Sequence, residues 1–186
     1  MKIHIMGASC AGSTTLGNAL AEQLSIPYFD TDDYFWEPSD VPYTIRRDTD
    51  KRNNMLKSDL AKNKDYILGG SLISWGNEWK EMFDLVVFLY VPQEIRIKRL
   101  MAREVQRYGD TIHTDPERAL LYKDFIAWAT KYDDRTFSGR NIQVHEDWLH
   151  DLQCKALEIR EDTTVKERIA LVKDQIDKLE AAGLFD

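Results

Sequence analysis

The sequence predicts an α/β fold with a mainly parallel sheet, and three observations carry that expectation. Short apolar strands alternate with helical stretches along the chain. The run Leu85–Val91 is continuously apolar between Asp84 and Pro92, as expected for a parallel strand buried on both faces. A glycine-containing loop also follows the first strand and opens directly into an amphipathic helix.

Taken in order, Lys2–Met6 reads as a strand stopped by Gly7, and Leu16, Ala19, Leu20 and Leu24 give Ser13–Leu24 a helical stripe. Ile26–Phe29 is a second strand, ending in the acidic cluster Asp30-Thr31-Asp32-Asp33. A polar, proline-bearing segment covers Glu37–Thr44, and helix is expected over Asp48–Asn63. Tyr66–Leu68 is a third strand, closed by Gly69-Gly70. After Pro92 a basic helix is expected over Gln93–Tyr108, then a polar break at Gly109–Pro116. Helices are expected at Glu117–Lys131 and Arg140–Leu152, with a last strand at Ala156–Ile159. Thr164 with Glu167 fits a capping box, and Val165, Ile169, Val172, Ile176 and Leu179 line one face of the helix it begins.

The 186 residues, 43% hydrophobic and 31% charged, suit one domain spanning 1–186, with a lid and helical insertion over about 104–152. A net charge of −7 argues against broad nucleic-acid binding, because phosphate backbones are repelled. No apolar run approaches the roughly 20 residues that span a bilayer, so no membrane partner is expected. Cys10 and Cys154 make no disulfide framework, and no signal-peptide core opens the chain. The expected location is the cytoplasm. Oligomeric state leaves no mark in the sequence. His113, His145 and His150 have no metal-ligand spacing with either cysteine, and His4 reads as structural.

Residues 7–15 read Gly7-Ala8-Ser9-Cys10-Ala11-Gly12-Ser13-Thr14-Thr15. Gly7, four residues, Gly12, one residue and Thr14 reproduce the frame of a phosphate-binding loop. Small residues let backbone N–H groups turn inward around phosphate oxygens at a positive helix end. Thr14 brings a hydroxyl suited to magnesium. One position departs: where the motif carries lysine, this chain has Ser13. The bland alternative is a strand-to-helix turn with no ligand.

Asp30, Asp32 and Asp33 follow the second strand, on the rim where open α/β sheets collect ligands. Carboxylates there can hold magnesium and accept a proton from a substrate hydroxyl; equally, they can form a solvated capping turn. Gly69 and Gly70 end the third strand on the same rim. Tyr34, Phe35, Trp36, Trp75 and Trp79 are either stacking surfaces or core under a substrate loop. Arg46 and Arg47 could meet an anionic acceptor.

These motifs resemble the P-loop nucleotide and small-molecule kinases, namely the adenylate-kinase-like, shikimate-kinase-like and nucleoside-kinase-like proteins. Phe29-Asp30-Thr31-Asp32 resembles the strand-end acidic motif of shikimate and gluconate kinases, where one aspartate serves magnesium and the other the acceptor. Asp32-Asp33-Tyr34-Phe35 is similar to the paired aspartates and aromatics of uridine and nicotinamide-riboside kinases. Asp84–Arg103 resembles the strand–proline–helix of nucleotide kinases, whose arginines contact transferring phosphates; Arg99 and Arg103 match those positions. The resemblance implies a five-stranded parallel sheet flanked by helices, with a helical lid. It covers most of the chain, although Asp110–Leu152 carries no assigned motif.

Residues 99, 103 and 107 are spaced by four and share one helix face, so Arg99 and Arg103 are expected to replace part of the missing lysine charge. The expected function is transfer of the ATP γ-phosphoryl group to a small hydroxyl- or phosphate-bearing acceptor, with Mg2+. Loop residues 7–15 would bind ATP, Thr14 and Asp30 the metal, and Asp32, Tyr34, Arg46, Gly69 and Gly70 the acceptor. Asp32, Asp33, Arg99 and Arg103 would be catalytic. The rivals are a nucleotide-binding sensor with little transferase activity, which Ser13 favours, and a slow nucleotide hydrolase.

Overall fold

The computed structural model describes residues 1–184. Its centre is a five-stranded, all-parallel sheet of order β2-β3-β1-β4-β5. The strands are β1 (Lys2–Gly7), β2 (Tyr28–Asp30), β3 (Tyr66–Gly69), β4 (Leu85–Leu89) and β5 (Lys155–Ile159). The expected parallel α/β architecture is therefore present. The helices are α1 (Ser13–Leu24), α2 (Thr31–Phe35), α3 (Thr49–Leu60), α4 (Gln93–Tyr108), α5 (Thr111–Thr114), α6 (Pro116–Thr130), α7 (Ile142–His150) and α8 (Val165–Ala181). The expected domain runs to residue 186, and 185–186 lie outside the described residues.

Strand alternation builds two cores, because successive side chains leave opposite faces of the sheet. Ile3, Ile5, Ile67, Leu85, Val87 and Leu89 pack on Leu16 and Leu20 of α1 and on Val172 and Ile176 of α8. Met6, Tyr66, Leu68, Val86 and Phe88 face Leu56 and Leu60 of α3 and Trp148 and Leu149 of α7. Apolar burial on both faces explains why β4 is a continuous apolar run. The capping box predicted at Thr164 and Glu167 starts α8.

Several boundaries differ from expectation, each for a local reason. Strand β2 begins at Tyr28 rather than Ile26 because Ser25 closes α1 in the left-handed region and the Ile26 N–H bonds back to Ala21 O at 3.2 Å. The acidic cluster does cap the next segment, as one of its two readings allowed, and that segment is a short helix. Asp30 ends β2 and accepts from the Asp32 N–H at 3.0 Å, starting α2 as its N-cap. Helix α7 starts at Ile142 rather than Arg140, because Asn141 caps it by accepting from the Val144 N–H at 2.9 Å. The polar break at Gly109–Pro116 contains α5, which buries Ile112.

Arg96 of α4, which no sequence motif singles out, is buried and ties that helix to the segment after α6. Its Nε donates to Val91 O at 2.9 Å, its Nη2 reaches Asp133 at 2.9 Å, and its guanidinium lies over the Tyr132 ring. No helix among the described residues is long and apolar enough to cross a membrane.

Candidate phosphate-loop site

The loop between β1 and α1 is held in shape by glycine chemistry and by one cation. Gly12 has φ +102°, and a Cβ there would stand 2.9 Å from Arg168 Nη1. That guanidinium, buried on α8, donates to Ala11 O at 2.7 Å and to Thr163 Oγ1 at 3.2 Å. The opening amides of α1 have no partner within the helix and face the loop's interior end. Gly7 is required by packing, since a Cβ would fall 2.4 Å from Leu89 O on the neighbouring strand.

Loop and acidic turn are joined. Thr14 Oγ1 donates to Asp30 Oδ2 at 2.9 Å, and the Tyr28 hydroxyl donates to the same oxygen at 2.8 Å. Burial, then the Asp30 charge, drives the Tyr28 hydroxyl's pKa far upward, so it remains a donor. A hydroxyl beside a fixed carboxylate is an oxygen donor set that suits Mg2+, which keeps most of its coordination for water and phosphate. No cluster of three or more His, Cys, Asp or Glu side chains suited to a metal exists among the described residues.

Asp32 follows on α2. The residue is exposed to water. Desolvation and the neighbouring Asp30 charge raise its pKa, opposed by Arg140 and Arg103. Asp33 is raised too, by desolvation and Asp30. A carboxylate tuned upward in this way is a better proton acceptor near neutral pH than an ordinary one.

Three expected acceptor-side residues have structural contacts of their own. Tyr34 is buried in the core and gives its hydroxyl to Asp59 at 3.0 Å. Gly69 makes room for Tyr28: a Cβ at Gly69 would be 2.1 Å from the Tyr28 hydroxyl, and one at Gly17 only 2.2 Å from the same ring. The glycine pair after β3 therefore serves the strand-end turn. Gly70, with φ +105°, lies against Thr31 in the same way. Arg46 is exposed near the Phe35 ring, whereas Arg47 is buried and donates to the Asp33 and Tyr34 carbonyls. Trp75 and Trp79 belong to the core.

The arginines on α4 lie near enough to the loop for their charge to act on Cys10. Burial raises the Cys10 thiol's pKa, and Arg103, Arg107 and Arg99 act against that rise, with Glu104 adding to it. Arg99 is held by Asp162 at 2.6 Å, and Arg103 lies 3.3 Å from Glu104. Arg140 reaches the loop from outside any predicted motif: its Nη2 donates to Ser9 Oγ at 3.2 Å. The legible signal was Asn141, whose capping role puts Arg140 in the preceding loop rather than inside a helix.

A strand–loop–helix turn with phosphate-loop spacing, an aspartate hydrogen-bonded to the Thr14 hydroxyl and an arginine-bearing helix after β4 are all present in the fold. The sequence is 41% identical over 174 residues to the uncharacterized protein YqaC of Bacillus subtilis (strain 168), covering 94% of this chain and 96% of that protein. The chain belongs to the P-loop kinase superfamily, in one family with YqaC. Within this superfamily it is 23% identical over 204 residues to cytidylate kinase 2 of Borrelia garinii subsp. bavariensis, with 96% and 97% of the two chains covered. A solved deoxyadenosine kinase from M. mycoides with bound dATP shares the fold, with TM-score 0.58 and 15% identity over 95% and 100% of the chains. No family model matches the sequence. These likenesses support a kinase-like, nucleotide-binding P-loop fold.

Proposed function

We propose that this protein is an ATP- and Mg2+-dependent kinase acting on a small hydroxyl- or phosphate-bearing acceptor. The observation that carries the reading is the Thr14–Asp30 hydrogen bond, which locks the phosphate loop to the turn that presents Asp32. Backbone amides of the loop Gly7–Thr15 would cradle the nucleotide phosphates, and Thr14 with Asp30 would hold the metal. Bound Mg-ATP supplies the γ-phosphoryl group and offsets its charge. Asp32 orients an acceptor oxygen and, for a hydroxyl acceptor, takes its proton as that oxygen bonds to phosphorus and the bond to the β-bridging oxygen breaks. Asp33 lies beside it as an alternative proton acceptor. Arg99 and Arg103 approach from α4, and Arg46 lies on the acceptor side. The expected location is the cytoplasm.

The supporting facts are the raised Asp32 pKa, the Thr14–Asp30 pair and kinship with kinases. Ser13 favours a second reading, a nucleotide-binding module with little transfer activity. ADP release from Mg-ATP separates the two when measured across nucleoside monophosphates, nucleosides and small hydroxy acids. Stimulation by one acceptor, lost in Asp32→Asn, is expected. Tight ATP binding with no stimulation by any acceptor would favour the binding module.

A further inference from the structure

Five arginines lie around the phosphate loop, and four are paired with a carboxylate or exposed to water. Arg99 pairs with Asp162, Arg103 with Glu104, and Arg168 bonds Ala11 O with Asp162 3.8 Å away. Arg107 is exposed, its guanidinium 5.2 Å from the Tyr43 ring centroid. Arg140 differs. Its Nη2 donates to Ser9 Oγ inside the loop, its guanidinium lies 5.0 Å from the Trp128 ring centroid, and its buried Nε has no hydrogen-bond partner among the described residues. No carboxylate lies within ion-pair distance of it among the described residues; Asp32 is the anionic group it faces, farther off.

Such an arrangement is costly as it stands. Arginine keeps its charge at any physiological pH, and a part-buried cation with no carboxylate at ion-pair distance is less stable than one that an anion meets. The cation also lies at a loop that has the geometry of a phosphate cradle but lacks its lysine, with Ser13 in that place. Resting on the nucleotide-binding reading above, we infer that Arg140 supplies the positive charge that the phosphate loop has lost at position 13, reaching the donor phosphates from the segment before α7. Three features fit this role. The planar fork suits phosphate oxygens. Trp128 on one side and Ser9 on the other fix its direction, so little order must be gained on binding. The low-dielectric surroundings strengthen its attraction for an anion. In this structure the α4 arginines expected to take over the lysine's charge are held by carboxylates instead.

The inference predicts a compensation that a structural or acceptor-binding Arg140 would not give. Binding of Mg-ATP and of adenosine is measured by titration calorimetry on wild type, R140Q, R140K, S13K and the S13K/R140Q double variant, each checked for folding by thermal melting. R140Q should weaken ATP about 10- to 100-fold, the value of one charge-assisted contact, and leave adenosine unchanged. R140K should retain most of the affinity. S13K should restore ATP binding to R140Q while adding little to wild type. Equal gains from S13K in both backgrounds, or equal losses in R140Q and R140K, would overturn the inference. If R140Q does not fold, S13K in wild type decides: little gain in ATP affinity supports the inference, and a gain of about tenfold or more overturns it. Wild type that binds no ATP would sink the nucleotide reading itself, an outcome distinct from additive behaviour in a protein that binds it.

Discussion

The Tyr28 hydroxyl donates to Asp30 Oδ2 at 2.8 Å, from a ring seated in space that Gly17 and Gly69 leave open. One oxygen of Asp30 thus receives both Tyr28 and Thr14, while the other caps α2. The strand end, the phosphate loop and the Asp32 turn are therefore one hydrogen-bonded unit.

Removing the Tyr28 hydroxyl should loosen that unit without emptying the core. Tyr28→Phe is expected to raise the Mg2+ concentration needed for half-maximal turnover several-fold, with a small change in melting temperature. Gly69→Ala, whose Cβ would meet the Tyr28 hydroxyl at 2.1 Å, should have the same effect and also cost about 1–3 kcal/mol of stability. Metal titrations with chemical denaturation check both; an unchanged Mg2+ requirement in Tyr28→Phe would remove Asp30 orientation from the account.

Asp32 sets a trade between activity and stability. Its folded pKa is raised, so the native state holds this proton more tightly than the unfolded chain. The Asp32 contribution to stability therefore falls as pH rises from about 4 through the raised value. Transfer, which needs the carboxylate, should instead fail as pH drops through that value. Asp32→Asn is expected to lose turnover at every pH while melting at or above the wild-type temperature. A variant that is both inactive and markedly less stable would mark Asp32 as a structural residue.

His4 should make the protein sensitive to mild acid. Its ring is fully buried, stacked on Phe83, and its Nδ1–H donates to Leu68 O at 2.9 Å. Desolvation lowers its pKa to about 4, partly opposed by that hydrogen bond. The contribution of the neutral ring is present above about pH 6.5 and is lost as pH falls from there through about 4. His145, between Ser71 and Tyr132, is shifted down by burial as well and acts in the same sense. Denaturation midpoints measured from pH 7.5 to 4.5 should fall for wild type and fall less steeply for His4→Gln; parallel curves would show that His4 does not contribute.

Arg96 should govern how firmly the segment after α6 is held. Arg96→Leu leaves the Val91 and Ala129 carbonyls and the partly exposed Asp133 without their donor. A loss of about 2 kcal/mol is expected, below the full cost of breaking a deeply buried pair because water reaches Asp133. Hydrogen exchange should quicken first in α6 and at Lys131–Asp133. Uniform quickening across the sheet would point to a global rather than a local role.

Much of the framework was legible because it is local. Leu85–Leu89 had to be a buried parallel strand by its apolar run, and Thr164 with Glu167 had to open a helix by the reach of two neighbouring side chains. The loop frame from Gly7 to Thr14 showed where phosphate could bind, since spacing along the chain fixes backbone geometry over so short a distance. Errors of one or two residues arose where a cap outweighed the apolar pattern, as at Ser25 and Asn141.

What the sequence alone determined is the layered parallel sheet, the phosphate loop with its missing lysine, and the acidic strand end beside it. Tertiary structure decided which charges meet. Arg140 comes to Ser9 across a separation of 131 residues, Arg99 is drawn to Asp162, and Gly69 is filled by Tyr28. Periodicity and spacing record only which neighbours along a strand or helix share a face. Ion pairing and burial depend on where distant segments arrive, and packing of the two cores against the sheet sets that.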